Sequence, residues 1–178
     1  SSGLIVDVGG FEISPDGRWL AIMASDPETP VERRKTSERN DAKIVDEDDH
    51  PRRVWLYSFA GDSLIPVSSD AREASSASWS RDSKQLAIVT RPTGNQDDLG
   101  PQNTLQVVNV ATPRSARAVP GVPPTGSSVS WSPDGTSIAF VSERTGIRDV
   151  FIMNADGTGV RNITNDPSTD DTPAWSPD

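Results

Sequence analysis

The stretch SVSWSPDGTSIAFVS, residues 128–142, reads as two short strands around a tight reversal. A short alternating run, SVSW, leads into Ser-Pro-Asp-Gly, and a second apolar run, SIAFVS, leads out. Pro pre-sets φ at the first corner of a turn, Asp bonds nearby backbone N–H groups, and Gly accepts positive φ. The stretch is therefore a strand, a four-residue turn and a returning strand.

The same unit returns along the chain. Aligning on the turn gives Ser14-Pro15-Asp16-Gly17, Ser80-Arg81-Asp82-Ser83, Ser132-Pro133-Asp134-Gly135 and Ser176-Pro177-Asp178. Trp79, Trp131 and Trp175 stand immediately before the Ser, and Ile13 takes that place in the first copy. From Ser14 to Ser80 is 66 residues, from Ser80 to Ser132 is 52, and from Ser132 to Ser176 is 44. In the third copy DVFIM supplies a third strand, NADGTG a hairpin turn and VRNIT a fourth strand. FEIS, WLAIMA, RVWLYS and LIPVS fill these roles in the first copy, and SASWS, QLAIVT, TLQVVNV and ARAVP in the second.

Four short antiparallel strands per repeat, with the same turn returning in phase, predict an all-β chain built as a β-propeller. A β-sandwich would explain the strand density but not the phase. The expected blades are residues 10–68 with an insertion at 25–53, residues 76–120, and residues 127–165, with a fourth opening at 172–178. Propellers have about four to eight blades, so residues 1–178 are expected to form part of one propeller domain. In a meander the turns one-to-two and three-to-four share one face of the disc. Loops two-to-three and four-to-next share the other. Both insertions fall between strands two and three, so they rise from one face, and function is carried by loops on a rigid scaffold.

Composition agrees with many short strands and turns: hydrophobic residues make up 33%, with 13 Gly and 15 Pro. The net charge of −9 repels a phosphate backbone and no basic stripe interrupts it, which argues against a nucleic-acid partner. No apolar run nears the roughly 18 residues of a membrane helix, so no membrane partner is expected either. Ser1 to Gly10 lacks the basic n-region of a signal peptide. With no Cys and a single His, His50, no metal site or cofactor is expected.

The first insertion opens on Thr29-Pro30-Val31-Glu32, which has capping-box spacing with Pro at the first helical position. A short solvated helix to about Asn40 is predicted, leading into Asp46-Glu47-Asp48-Asp49-His50. Asp46, Glu47, Asp48 and Asp49 could clamp a cation such as the free amino terminus of a peptide. The plainer account is a solvated acidic loop paired with Arg52 and Arg53.

Other signals read as structure. GDSL at Gly61–Leu64 spells the nucleophile block of a lipase/esterase family, but it falls in a hairpin and lacks that family's Asp-x-x-His. NADGTG lacks the carboxylates of a calcium loop. Asn162-Ile163-Thr164 spells a glycosylation sequon. Trp79, Trp131 and Trp175 repeat in a packing phase and are assigned to blade-to-blade core. No Gly-x-Ser-x-Gly is present, so no catalytic residue is assigned in this segment.

WSPDGTSIAFVSERTGIRDVFIMNADGTGVRNIT resembles the repeat of TolB-type propellers. FEISPDGRWLAIMASDPETPVERRKTSERNDAKIVDEDDHPRRVWLYS resembles the N-terminal propeller of prolyl oligopeptidase-family serine peptidases, especially the acylaminoacyl-peptidase-like branch. That second resemblance implies a propeller that admits short peptides to an α/β-hydrolase domain lying later in the chain. Its partners would be peptide substrates and that C-terminal domain, in the cytoplasm. The first implies a non-catalytic, periplasmic propeller that binds protein partners.

Overall fold

The computed structural model describes residues 8–25, 30–37, 52–67, 72–92, 103–119 and 125–176. These form three four-stranded antiparallel sheets. The first holds β1 (Val8–Ile13), β2 (Trp19–Ser25), β3 (Arg52–Ser58) and β4 (Ser63–Pro66), with helix α1 (Pro30–Ser37) between β2 and β3. The second holds β5 (Arg72–Trp79), β6 (Gln85–Pro92), β7 (Thr104–Asn109) and β8 (Arg117–Ala118). The third holds β9 (Thr125–Trp131), β10 (Ser137–Ser142), β11 (Asp149–Asn154) and β12 (Arg161–Asn162). Spatial order follows chain order in every sheet, so each is a propeller blade. The all-β partial propeller read from the sequence is the observed fold.

The outermost strands of blades two and three are shorter than the sequence suggests. β8 and β12 are two residues each. Pairing nevertheless continues by one further backbone bond at the same place in each blade: Val67 N–H to Val54 C=O, Val119 to Leu105 and Ile163 to Val150.

Residues in register across neighbouring strands share a face. Trp79, Leu86 and Val108 make one row of the second blade, and Ala77 and Ile88 belong to the next. This face packs on Ala21, Val54 and Leu56 of the first blade. The opposite face, with Ala87, Val89 and Leu105, packs on Val129, Trp131, Ile138 and Phe140 of the third. The middle blade is therefore covered on both sides, which is why its second strand, β6, carries the continuous apolar run Leu86-Ala87-Ile88-Val89.

The Ser-x-Asp turns share one geometry. The hydroxyl of Ser14 donates to Asp16 Oδ1 (2.6 Å) and accepts from the Trp19 N–H (3.0 Å), while Asp16 Oδ1 also accepts from the Arg18 N–H (3.0 Å). Ser80 and Asp82 repeat this with Gln85 and Lys84, and Ser132 and Asp134 with Ser137 and Thr136. All three serines are buried. The position after the Asp needs positive φ: Gly17 is at 70° and Gly135 at 73°. The second blade has Ser83 there, at 59°. Its hydroxyl accepts the Asp16 N–H at 3.0 Å, a bond between turns that glycine cannot make. Arg81 Nη1 likewise donates to the Pro133 carbonyl at 2.8 Å in the third blade. The turns thus touch in succession and occupy one face, as the meander requires.

Two junctions use the in-phase tryptophan in the same way. Trp79 Nε1 donates to the Glu12 carbonyl and Trp175 Nε1 to the Ser130 carbonyl, each at 3.1 Å. Both carbonyls lie two residues before a turn serine. Trp175 therefore docks as the tryptophan of a first strand would. Between blades two and three the link differs: the backbone N–H groups of Val129 and Trp131 donate to the Ser76 and Ser78 hydroxyls (3.3 and 3.1 Å). The Trp131 indole N–H has no partner among the described residues.

On the first blade, the face turned away from the second carries the cross-strand rows Phe11–Ile22–Trp55 and Ile13–Leu20–Tyr57. Phe11 is 65% exposed and Ile13 58%. The equivalent face of each later blade is covered by its predecessor. We predict that the 178-residue chain by itself self-associates through this face. Replacing Phe11 by Ser and Ile13 by Thr should lower the association measured by sedimentation. A wild-type chain that sediments as a monomer and melts sharply would contradict an open ring.

At the second turn, Ser83→Gly relieves a left-handed residue, worth about 1 kcal/mol, but loses the bond to Asp16, worth about 1 kcal/mol. Near-neutral stability is expected. Ser83→Ala keeps the backbone cost and loses the bond, so its urea midpoint should correspond to about 1 kcal/mol less stability. Wild-type stability in Ser83→Ala would show that the bond between turns contributes nothing.

Candidate functional site

The connections separate the two faces by length. On the turn face, strands one and two are joined by residues 14–18, 80–84 and 132–136, five residues in every blade. On the other face, strands two and three are joined by residues 26–51, 93–103 and 143–148, which is 26, 11 and 6 residues. The long connections all leave the end of the blade that carries Ser25 and Arg52, Thr90 and Thr104, and Ser142 and Asp149. This loop face is the candidate site.

Of the sequence-predicted residues, Asp46, Glu47, Asp48 and Asp49 lie outside the described residues, as do Pro177 and Asp178. Helix α1 forms over Pro30–Ser37, with Val31 exposed. Arg52 and Arg53 open β3 at the base of that insertion. The guanidinium of Arg52 lies over Gly9, close enough that a Cβ there would meet it at 2.7 Å. Gly9 is the extra residue of a β-bulge between Val8 and Gly10, and Ser75 holds the matching place between Ala74 and Ser76. Bulges gather at rims and beside sites.

The six-residue loop of the third blade is fully described. Its backbone turns at Gly146, whose φ is 98° and whose N–H donates to the Glu143 carbonyl (3.0 Å). Arg148 ties the loop to the segment beyond β12, donating to Glu143 (2.9 Å) and to Asp171 (3.2 Å). Those two carboxylates, Glu143 first, raise the pKa of Arg148 above its ordinary value. Below the loop Asp149 is buried and takes bonds from Thr145 Oγ1, Asn162 Nδ2 (2.9 Å) and Thr164 Oγ1 (3.3 Å). These donors, led by the Thr145 hydroxyl, hold the Asp149 carboxyl below its usual range. Asn162 and Thr164, two positions of the sequon, are thereby committed to the blade's own corner. Arg144 lies with its guanidinium 4.3 Å from the centre of the Phe151 ring and 5.9 Å from Phe140.

The remaining motifs are structural. Ser63 of GDSL opens β4 beside the turn residue Asp62, which accepts the Tyr57 hydroxyl at 2.8 Å. Asp156 of NADGTG bonds the Thr158 N–H and hydroxyl within its own hairpin. Among the described residues no group of three or more His, Cys, Asp or Glu is placed to hold a metal ion. No described helix is long and apolar enough to cross a membrane. Sequence reading missed Arg144 and the Asp149 corner, because neither repeats in phase with the other blades.

The family model for the TolB β-propeller domain matches residues 44–178. The chain belongs to the TolB-type β-propeller family. Among curated relatives, it is 44% identical over 45 residues to the Tol-Pal system protein TolB of Anaeromyxobacter dehalogenans (strain 2CP-C), covering 25% of this chain and 10% of that protein. It is 43% identical over 49 residues to the uncharacterized peptidase YuxL of Bacillus subtilis (strain 168), covering 27% of this chain and 8% of that protein. Among solved structures, the putative TolB of Agrobacterium tumefaciens superposes with a TM-score of 0.68 at 20% identity, over 99% of this chain and 53% of that one. The chain thus matches about a tenth of the length of these curated relatives.

Acid should weaken this structure through its turns. The Asp16 and Asp134 carboxyls are held below the usual range, chiefly by the Ser14 and Ser132 hydroxyls, and Asp82 chiefly by the Lys84 N–H. A carboxyl depressed in the folded state stabilises fully above its unfolded pKa, about 3.9. That contribution is lost as pH falls through the folded value. Stability from these groups, with Asp149, should therefore be flat from neutrality to about pH 5 and decline below about pH 4. Urea midpoints across this range test it, and Asp134→Asn should flatten the decline. An unchanged slope in that variant would remove the turn carboxylates from the account.

Proposed function

We propose that this TolB-type propeller segment gates a serine peptidase acting on short peptides. In this reading an α/β-hydrolase domain elsewhere in the parent polypeptide supplies a Ser nucleophile, a His base and an acid that orients the His. The propeller's part is to admit extended peptides and exclude folded proteins. The observation that carries the proposal is the contrast between five-residue turns on one face and connections of 26 and 11 residues on the other. A gate needs such excursions over its opening, whereas a scaffold bound through its blades has no need of them. The identity to a peptidase over 49 residues supports the same reading. Asp46, Glu47, Asp48 and Asp49, on the longest connection, are assigned to the substrate's free amino terminus, which a carboxylate cluster binds by charge-assisted hydrogen bonds.

A second reading has its own support. The identity to TolB, and the structural likeness to a putative TolB over 99% of this chain, favour a non-catalytic propeller that binds protein partners. The experiment is to express the full-length protein, label it with a fluorophosphonate, and assay a peptide both free and embedded in a folded protein. Labelling, with cleavage of the free peptide only, is the expected outcome. Replacing the four acidic residues by Asn and Gln should lower kcat/KM for free-amino peptides and spare acetylated ones. Absence of both labelling and cleavage would overturn the gate in favour of the binding scaffold.

A further inference from the structure

On the loop face, the arginines whose ion pairs are defined have carboxylate partners. Arg91 makes two bonds to Glu73 Oε2, at 2.8 and 2.6 Å, and Arg148 spans Glu143 and Asp171. Arg144 is different. It stands in the two-to-three loop of the third blade, at the place where the other blades carry their long connections. Its guanidinium rests on the stacked Phe140–Phe151 pair, whose ring centres are 5.8 Å apart. Its Nε reaches the Ser142 hydroxyl at 3.4 Å. Among the described residues no carboxylate meets it, and the residue remains exposed.

That arrangement has the parts of an anion receptor. A guanidinium laid on an aromatic floor loses little freedom when it binds, because stacking already fixes its plane. With Nε on the Ser142 hydroxyl, the two terminal nitrogens have no hydrogen-bond partner among the described residues, and such a pair of donors suits bidentate binding of a carboxylate. The floor belongs to the core shared by blades two and three, and the loop above it is braced by Arg148 on both sides. The surrounding chain is acidic, at −9 overall. A cation that meets no carboxylate among the described residues, yet is held in place on two rings, can discriminate among ligands by their charge.

We propose that Arg144 anchors a carboxylate of a peptide bound on the loop face, its C-terminal carboxylate in the first instance. The proposal rests on the peptidase reading and deepens it: among the short peptides that the propeller admits, Arg144 favours those that present a carboxylate to the loop face. Arg144 then selects substrates without touching the scissile bond, so it acts on KM rather than kcat. Partial desolvation against the rings, which lowers the Arg144 pKa, strengthens the pairing, since a charge with fewer waters gains more from a partner.

The test uses the full-length protein and one short peptide in two forms, with a free C-terminal carboxylate and with a C-terminal amide. Wild type should show a KM for the free acid roughly tenfold below that for the amide, the lower end for a charge-assisted bond. Arg144→Met keeps an apolar stem over Phe151 and should bring the two KM values together, with kcat and the amide's kinetics unchanged. Arg144→Lys, which keeps charge without the fork, should retain part of the preference. Calorimetric binding of the same two peptides is read in parallel. If the peptides are cleaved and Arg144→Met keeps the full preference, the Arg144 proposal falls and the gate stands. If nothing is cleaved but acid-selective binding is present in wild type and lost in Arg144→Met, the gate falls and the receptor stands. Equal binding of acid and amide by wild type overturns the receptor in either case.

Discussion

A buried serine hydroxyl, donating to an aspartate two residues on and accepting a backbone N–H five residues on, recurs in every blade. The rest of the architecture depends on it. The bond pair fixes the turn at five residues, and the fixed turn sets the register of the first two strands. That register puts Trp79 and Trp131 on the face that meets the preceding blade. A serine hydroxyl can do this because it is donor and acceptor at once in a space that excludes water. Alanine in its place would leave a carboxylate and an N–H without their partner inside the turn.

Contact between successive turns extends that local rule across the molecule. Asp16 reaches Ser83 and Arg81 reaches Pro133, so each turn is a spacer for the next. Blade-to-blade packing is otherwise apolar, built from Ala, Val, Leu and Ile with Trp79, Trp131 and Phe140. Polar links at fixed points, among them the Trp79 indole on the Glu12 carbonyl, hold the sheets in one relative position.

Most of the fold is legible in the sequence because it is periodic. Ser14, Ser80 and Ser132 announce the turns, the apolar runs after them announce the second strands, and Trp175 shows where a further first strand docks. The fourth strands are shorter than ARAVP and VRNIT suggest, since an outer strand has one neighbour and little burial to specify its length. The loop face is far less legible. Arg144 sits in SERTGIRD, where nothing in the spelling separates a receptor from an ordinary exposed charge. Only the placement of Phe140 and Phe151 from two different strands beneath it makes the difference. The Asp149 corner is likewise assembled from residues 13 and 15 positions away, a relation no local pattern carries.

The fixed turns on one face and the free connections on the other also bear on how such a chain changes over time. Lengthening a connection from 6 to 26 residues raises the entropic cost of closing it by only about 1.3 kcal/mol, by the logarithmic law for loops. Neither the serine turns nor the blade-to-blade core needs to adjust. New recognition can therefore be acquired on one side of the disc while the other side keeps the fold unchanged, and a connection moved from one such propeller to another should bring its binding preference with it.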